Sequence, residues 1–202
     1  MDTTVLHKIT YGLYLLTAKD GGKDNGCIIN TAVQVANNPT RISVSVSKDN
    51  LTHDMIMSSC KFNLSCITEK ADFSLFENFG LRSGRDHDKF ASFTDVERSA
   101  NGLLYLTSAC NSMMSVEVSR IVDLGSHSMF IGNLTDGIVL SSEPSCSYAY
   151  YHANIKKTPV VQNTESGGWR CKICGYVYEG AELPSDFICP WCKHGVDDFE
   201  KI

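Results

Sequence analysis

The most specific chemistry in the chain lies near its end, in Cys171-Lys172-Ile173-Cys174 and Cys189-Pro190-Trp191-Cys192. A Cys-x-x-Cys pair can grip one metal ion from a single tight turn. Two such turns, with 14 residues between Cys174 and Cys189, complete a tetrahedron of thiolates. Cys171, Cys174, Cys189 and Cys192 are therefore the expected metal ligands. The spacing itself suits zinc, which would make the module structural, as well as iron. The surroundings favour iron. Gly175 follows the second cysteine, where backbone turned toward sulfur needs a residue tolerant of positive φ. Trp169, Tyr176, Tyr178, Phe187, Trp191 and Phe199 can wrap the site in the kind of apolar shell that tunes a redox metal.

A second stretch with chemical potential is Ser45-Val46-Ser47-Lys48-Asp49-Asn50-Leu51-Thr52-His53. A strand ends, a cation and hydroxyls follow, and a helix begins. Free amides and the positive end of the helix dipole suit a phosphate there. On residues alone, the same stretch also suits a helix capped by Asn50 with Lys48 in solvent. Arg82, Ser83 and Arg85 form a further polar, basic cluster.

These groups must be positioned by short β elements. Gly12–Ala18 reads as a strand, Asp20–Gly26 as a polar glycine-rich turn and Cys27–Val35 as the return strand of a hairpin. Ile42–Ser47 alternates with period two, as a half-buried strand does. Asn50 reads as the N-cap of a helix running to about Cys60, with Leu51, Met55 and Ile56 on one face. Lys61–Thr68 reads as a strand. Ser74-Leu75-Phe76-Glu77 has the form of a capping box opening a short helix that Gly80 could close. Strands are expected again over Leu103–Thr107, Ser112–Leu124 and Ser128–Leu140, with a turn at Gly125-Ser126. Tyr148–His152 ends the domain. No helix is long enough to alternate with each strand. The fold class is therefore mainly β, an antiparallel barrel with small helical insertions.

Net charge is −5 and charged residues make up 20%, so nothing points to nucleic acid. No basic stretch suggests a membrane surface and no apolar run of 18 residues suggests a span. Residues 1–18 lack the charged start and apolar block of a signal peptide, so a cytoplasmic location is expected. Of nine cysteines, the five outside the paired motifs read as free thiols, with Cys27 and Cys66 as small buried hydrophobes.

The tail resembles a known family. Trp169-Arg170-Cys171-x-x-Cys174-Gly175-Tyr176-x-Tyr178, Leu183-Pro184-x-Asp186-Phe187-x-Cys189-Pro190-x-Cys192 and Phe199 closely resemble rubredoxin, a one-iron electron carrier. The loop between the knuckles is shorter than in free-standing rubredoxins and closer to the modules of fused proteins.

Gly12-Leu13-Tyr14 through Thr17-Ala18, Asn25-Gly26-Cys27 through Asn30-Thr31-Ala32, Val44–Lys48 through Thr52-His53, and Gly125-Ser126-His127 through Gly132 together resemble the FMN-binding split barrel of flavin reductases. A barrel of this kind with a C-terminal rubredoxin is similar to the flavoprotein–rubredoxin fusions of anaerobic microbes. The resemblance implies a flavin domain over 1–152, a linker over 153–168 and a rubredoxin-like domain over 169–202. A flexible linker of 16 residues would span roughly 20–24 Å.

The resemblance also implies roles. Asn30, Thr31, Ala32 and Val33 would line the isoalloxazine. Ser47, Lys48, Asn50, Thr52 and His53 would hold the phosphate of FMN, with Arg82, Ser83 and Arg85 as candidates for phosphate or ribityl contacts. His127 matches the histidine of the Gly-Asp-His motif near flavin and nicotinamide, although Ser126 stands where that motif has Asp. Nicotinamides give up two electrons at once and a one-iron site takes one, so FMN followed by iron is a sensible order. The expected donor is NAD(P)H or another reductant, the expected acceptor a flavodiiron oxygen or nitric oxide reductase, and the expected assembly a homodimer. Two other functions fit the same residues: a flavin reductase that releases reduced FMN, and a flavin-binding protein with a structural zinc tail.

Overall fold

The structure is a computed structural model that describes residues 5, 8–91, 93–156, 168–172, 176–189 and 195–202. The chain divides into two units, Met1–Lys156 and Lys157–Ile202.

The first unit begins with the hairpin of β1 (Tyr14–Asp20) and β2 (Lys23–Ile29). Its turn is tighter than expected from sequence. Gly21 and Gly22 reverse the chain alone, both at positive φ (+53° and +86°). The polar residues Lys23–Gly26 then pair as strand, with Ala18 opposite Asn25 and Thr17 opposite Gly26. Nor is Cys27–Val35 one strand. The chain leaves β2 after Ile29 and re-enters the sheet as β3 (Val33–Asn37), which turns into β4 (Thr40–Ser47).

Beyond β4 come helix α1 (Leu51–Ser59) and β5 (Lys61–Ile67). The long hairpin β8 (Cys110–Asp123) and β9 (His127–Val139) completes an antiparallel sheet of order β2-β1-β5-β8-β9-β4-β3. Its two edge strands, β2 and β3, are consecutive in the chain. Residues 30–32 therefore cross from one edge of the sheet to the other, along the seam of a split barrel.

Inside lie Leu16, Val44, Phe62, Leu64, Val116 and Phe130, with Met55 and Ile56 of α1 packed onto them. The apolar face read for β4 holds, since Ile42, Val44 and Val46 are all buried, but Ser43 on the other face is buried as well. Phe62 is fully buried. Phe62→Ala is expected to destabilise the first unit by about 3–5 kcal/mol, read as a shifted urea midpoint.

Two local expectations fail. Helix α2 (Phe73–Phe76) is capped not by Ser74 but by Asp72, whose Oδ1 accepts from the Ser74 amide at 2.8 Å. Gly80 does not close it either, because a π-helical turn (Glu77–Leu81) continues the helix and both Phe76 and Phe79 are buried. The segment around Leu103 forms β7 (Leu104–Leu106), which pairs with β6 (Val96–Arg98) as a separate ribbon. β6 has three residues, two of them charged, too few for an alternating pattern.

The first unit closes with α3 (Tyr148–Tyr150) and a π-helical turn over Tyr151–Ile155. Residues 157–167 of the expected linker lie outside the described residues. In the second unit, β10 (Trp169–Cys171) is central, between β11 (Val177–Tyr178) and β12 (Phe199–Lys201).

Candidate cofactor site and metal centre

In the second unit Cys171 ends β10 and its amide donates to the Tyr176 carbonyl at 2.8 Å. That bond brings the chain back on itself around the first knuckle. The Lys172 amide donates to the Asp198 carbonyl at 2.7 Å, which ties the knuckle to the C-terminal segment. Cys171 and Cys189 are both buried, in one cluster with Phe199, walled by Trp169, Tyr176, Leu183 and Phe187. Phe187 meets Phe199 edge-on at 5.4 Å and Tyr178 at 4.8 Å. Cys174, Gly175, Trp191 and Cys192 lie outside the described residues. Two buried cysteines from separate arms in one apolar shell fit a thiolate-bound metal.

In the first unit the site begins where β4 ends. The Lys48 amide donates to the Ser126 carbonyl at 3.0 Å, and Ser47 pairs in register with His127. The β4–α1 junction and the β8–β9 turn are thus one structure. Asn50 occupies the N-cap of α1 as expected, but its side chain makes no capping bond. The helix start is therefore not closed by its own cap.

Thr52 and His53 face inward from that start. Thr52 is fully buried and its hydroxyl accepts from Asn25 Nδ2 at 3.0 Å. His53 is buried with both ring nitrogens engaged, Nε2 at 2.9 Å from Ser128 Oγ and Nδ1 at 3.1 Å from Asp54 Oδ1. Both residues anchor the helix end and present no free polar group at the surface.

The segment 82–85 lies against this helix. Arg85 Nη2 is 2.7 Å from Asp54 Oδ2. Lys23 Nζ donates to the Gly84 carbonyl at 2.7 Å. Gly84 sits so close to Asn25 that a Cβ there would fall 2.2 Å from Asn25 Oδ1. Deeper still, Lys89 is buried and donates from Nζ to the carbonyls of Gly26 and Phe79, both at 3.0 Å. Burial pulls its pKa down. Asp54 is held below the usual carboxylate range, first by Arg85 and then by His53. Asp123 is lowered as well, first by Lys48, 2.8 Å away, and then by the Gly125 amide.

The crossing residues join the same region. Thr31 Oγ1 donates to the Ser45 carbonyl at 2.7 Å and accepts from its amide at 3.2 Å. Asn30 and Ala32 are half-buried, while Val33 is exposed at the sheet edge. His127 is half-buried, its Nδ1 2.9 Å from Ser126 Oγ. Arg82 and Ser83 are exposed.

The structure therefore brings Ser47, Lys48, Asn50, His127 and Arg85 around the start of α1, with Thr31 two strand positions away at Ser45. Lys48, Arg85, the hydroxyl of Ser47 and uncapped helix amides suit a phosphate monoester. Asn25 Oδ1 is buried beneath Gly84 without a hydrogen-bond partner; as an acceptor it suits a hydroxyl donor and not the phosphate itself.

Asp54, Gly84, Lys89, Asp123 and Ser128 are not singled out by sequence, and Asn25 enters only through the resemblance, without a role. Asn25 sat in an apparent turn, and nothing in Asp88-Lys89-Phe90 marks Lys89 as buried.

Residues 6–159 match the flavin reductase like domain family. Residues 169–200 match the rubrerythrin, rubredoxin-like domain. Over 231 aligned residues, the whole of both chains, the sequence is 38% identical to the high molecular weight rubredoxin of Moorella thermoacetica. It is 31% identical over 160 residues to the ferric-chelate reductase (NAD(P)H) of Archaeoglobus fulgidus, covering 79% of this chain and 94% of that one. In fold it is similar to the FMN-binding protein from Thermus thermophilus, with a TM-score of 0.60 and 19% identity over 66% of this chain and 72% of that one. No helix among the described residues is long and apolar enough to cross a membrane.

Proposed function

Because the chain belongs to the flavin reductase-like family and carries a rubredoxin-like domain behind it, we propose that it is an electron-transfer oxidoreductase working from flavin to iron. The flavin is FMN, the iron is held by Cys171, Cys174, Cys189 and Cys192, and the reductant is NAD(P)H. The observation that supports this most is the pairing, in one chain, of a cationic helix start suited to a phosphate with a buried cysteine cluster suited to a metal.

When bound, FMN supplies two-electron uptake with one-electron release, and iron supplies one-electron storage. The residues of the chain do the rest by position and charge. Lys48 and Arg85 would neutralise the phosphate, with Arg82 and Ser83 on the same segment as Arg85, and the first amides of α1 would donate to it. Ser47 and Asn50 border that grip. Thr52 and His53 act from beneath, fixing α1 to β2 and β9. Thr31 pins the crossing residues Asn30–Val33 to β4, so that their backbone forms a fixed wall for the ring. His127, opposite Ser47 on β9, is the residue proposed to meet the reductant. The aromatic shell of the second unit keeps water from the thiolates, which favours electron transfer over loss of metal.

A flavodiiron reductase is the proposed acceptor, on the family resemblance alone. A homodimer is proposed as well. Exposed Val33, Val35, Leu124 and Val139 support it, and sedimentation of the flavin-loaded protein across micromolar concentrations tests it. A location in the cytoplasm goes with the same reading.

The decisive experiment is anaerobic mixing with NADH or NADPH while flavin and iron absorbance are followed together. The expected result is flavin bleaching first and iron bleaching after it, without added mediator. The 31% identical ferric-chelate reductase is matched over 94% of its length by 79% of this chain; one rival is a reductase that releases reduced FMN. In that case iron bleaching would lag and depend on free flavin. A zinc-filled tail would show no visible iron band at all.

A further inference from the structure

The two cations at the start of α1 are each already paired. Lys48 Nζ lies 2.8 Å from Asp123 Oδ1, and Arg85 Nη2 lies 2.7 Å from Asp54 Oδ2. The four charges sum to zero. Each carboxylate is also fixed by a third group. Asp123 Oδ1 accepts from the Gly125 amide at 2.8 Å, and Asp54 Oδ1 meets His53 Nδ1 at 3.1 Å. Neither is free to swing away when another anion arrives.

We propose that Asp54 and Asp123 limit the affinity of the phosphate site, screening Lys48 and Arg85 so that the flavin mononucleotide is held less tightly than two unscreened cations would hold it. This rests on the reading of the α1 start as the phosphate site. Binding then adds a further anion to two cations that keep their own carboxylates, rather than neutralising bare positive charge.

Two effects oppose each other here. A carboxylate partner preorganises a long cationic side chain, and exposed pairs of this kind are worth at most about fivefold in an equilibrium. The same carboxylate repels a dianion. At a separation of about 6 Å, one negative charge against two costs on the order of tenfold in the dielectric of water, more in the lower dielectric near a protein surface and less where salt screens it. Repulsion therefore exceeds preorganisation at each carboxylate, and the two sites compound the difference.

The test titrates full-length protein, stripped of flavin, with FMN and with riboflavin, which has the same ring and ribityl chain without the phosphate. Asp54→Asn with Asp123→Asn removes both charges but keeps acceptors for His53 Nδ1 and the Gly125 amide. The double variant is expected to bind FMN on the order of tenfold tighter, with riboflavin affinity unchanged and the gain shrinking at high salt. Unchanged or weaker FMN binding would overturn the proposal if Lys48→Ala or Arg85→Ala still lowers affinity for FMN relative to riboflavin. The carboxylates would then be orienting the cations. If neither cation variant changes the FMN-to-riboflavin ratio, the phosphate lies elsewhere and both the site reading and this inference fall.

Discussion

Cys189→Ser is expected to abolish the visible iron band and unfold the second unit, while FMN binding by the first unit stays as in the wild type. The reason is the size of the second core. Among its described residues only Cys171, Cys189 and Phe199 form the buried centre, with four partly buried side chains around them. A unit so small cannot offset its own chain entropy by apolar burial. Metal binding must supply the difference, and in small metal-dependent domains it is worth on the order of 10 kcal/mol. Serine in place of Cys189 removes a thiolate and leaves a hydroxyl at a fully buried position. Two readouts check this. Iron content and the visible spectrum report the site, and protection of the β10–β12 amides from hydrogen exchange reports the fold. A variant that loses its colour but keeps that protection would show that packing, not metal, holds the unit together. Removing metal from the wild type with a chelator should give the same loss of protection, reversed on adding ferrous iron anaerobically.

What could be read from sequence, and what could not, follows from the range of each interaction. The alternation of Ile42, Val44 and Val46 and the glycine turn at Gly125 are local patterns, and both appear in the structure. The hairpin of β1 and β2 was legible too, but its turn was placed too broadly. Lys23, Asp24 and Asn25 look like turn residues because they are polar. Asn25 is nevertheless buried in β2, because Thr52, far away in sequence, accepts from its amide. No local rule sees that partner. The break after Ile29 was hidden for a related reason. Cys27–Val35 is continuously apolar enough for one strand, and only closure of the sheet requires residues 30–32 to pass from one edge to the other. At α2, two capping signals competed, and the earlier acid, Asp72, took the helix end from Ser74.

The candidate site divides along the same line. Ser47-Lys48-Asn50 was legible because a strand end followed by a helix start is a local arrangement. That Arg85 belongs with it depends on a contact across 31 positions, through Asp54, and the sequence offered only a basic cluster. Lys89 is the harder case. A charged residue in a polar stretch reads as solvated, yet two backbone carbonyls take its ammonium into the interior.

Lys48→Ala combined with Arg85→Ala is expected to weaken FMN binding by about 3 kcal/mol or more, roughly a hundredfold or beyond, since charge-assisted hydrogen bonds contribute about 1.5–3 kcal/mol each. The pair is chosen over one containing Thr52 for a structural reason. Thr52 is fully buried against Asn25, so replacing it acts on packing before it acts on any ligand. Thr52→Val would leave Asn25 Nδ2 without its acceptor, beside an Oδ1 that already lacks a partner. A buried donor so stranded costs about 1–3 kcal/mol of stability. That variant should weaken FMN and riboflavin alike, because it disturbs the helix start that both share. The Lys48–Arg85 double variant should instead weaken FMN alone and leave the melting temperature near that of the wild type, as the side chains are 39% and 49% exposed and ion pairs of that kind contribute little to folding. Flavin fluorescence titration and a thermal melt on the same samples separate the cases. Equal loss for FMN and riboflavin in the double variant would mean that these cations shape the site rather than hold the phosphate. No loss for either would move the phosphate away from α1 altogether.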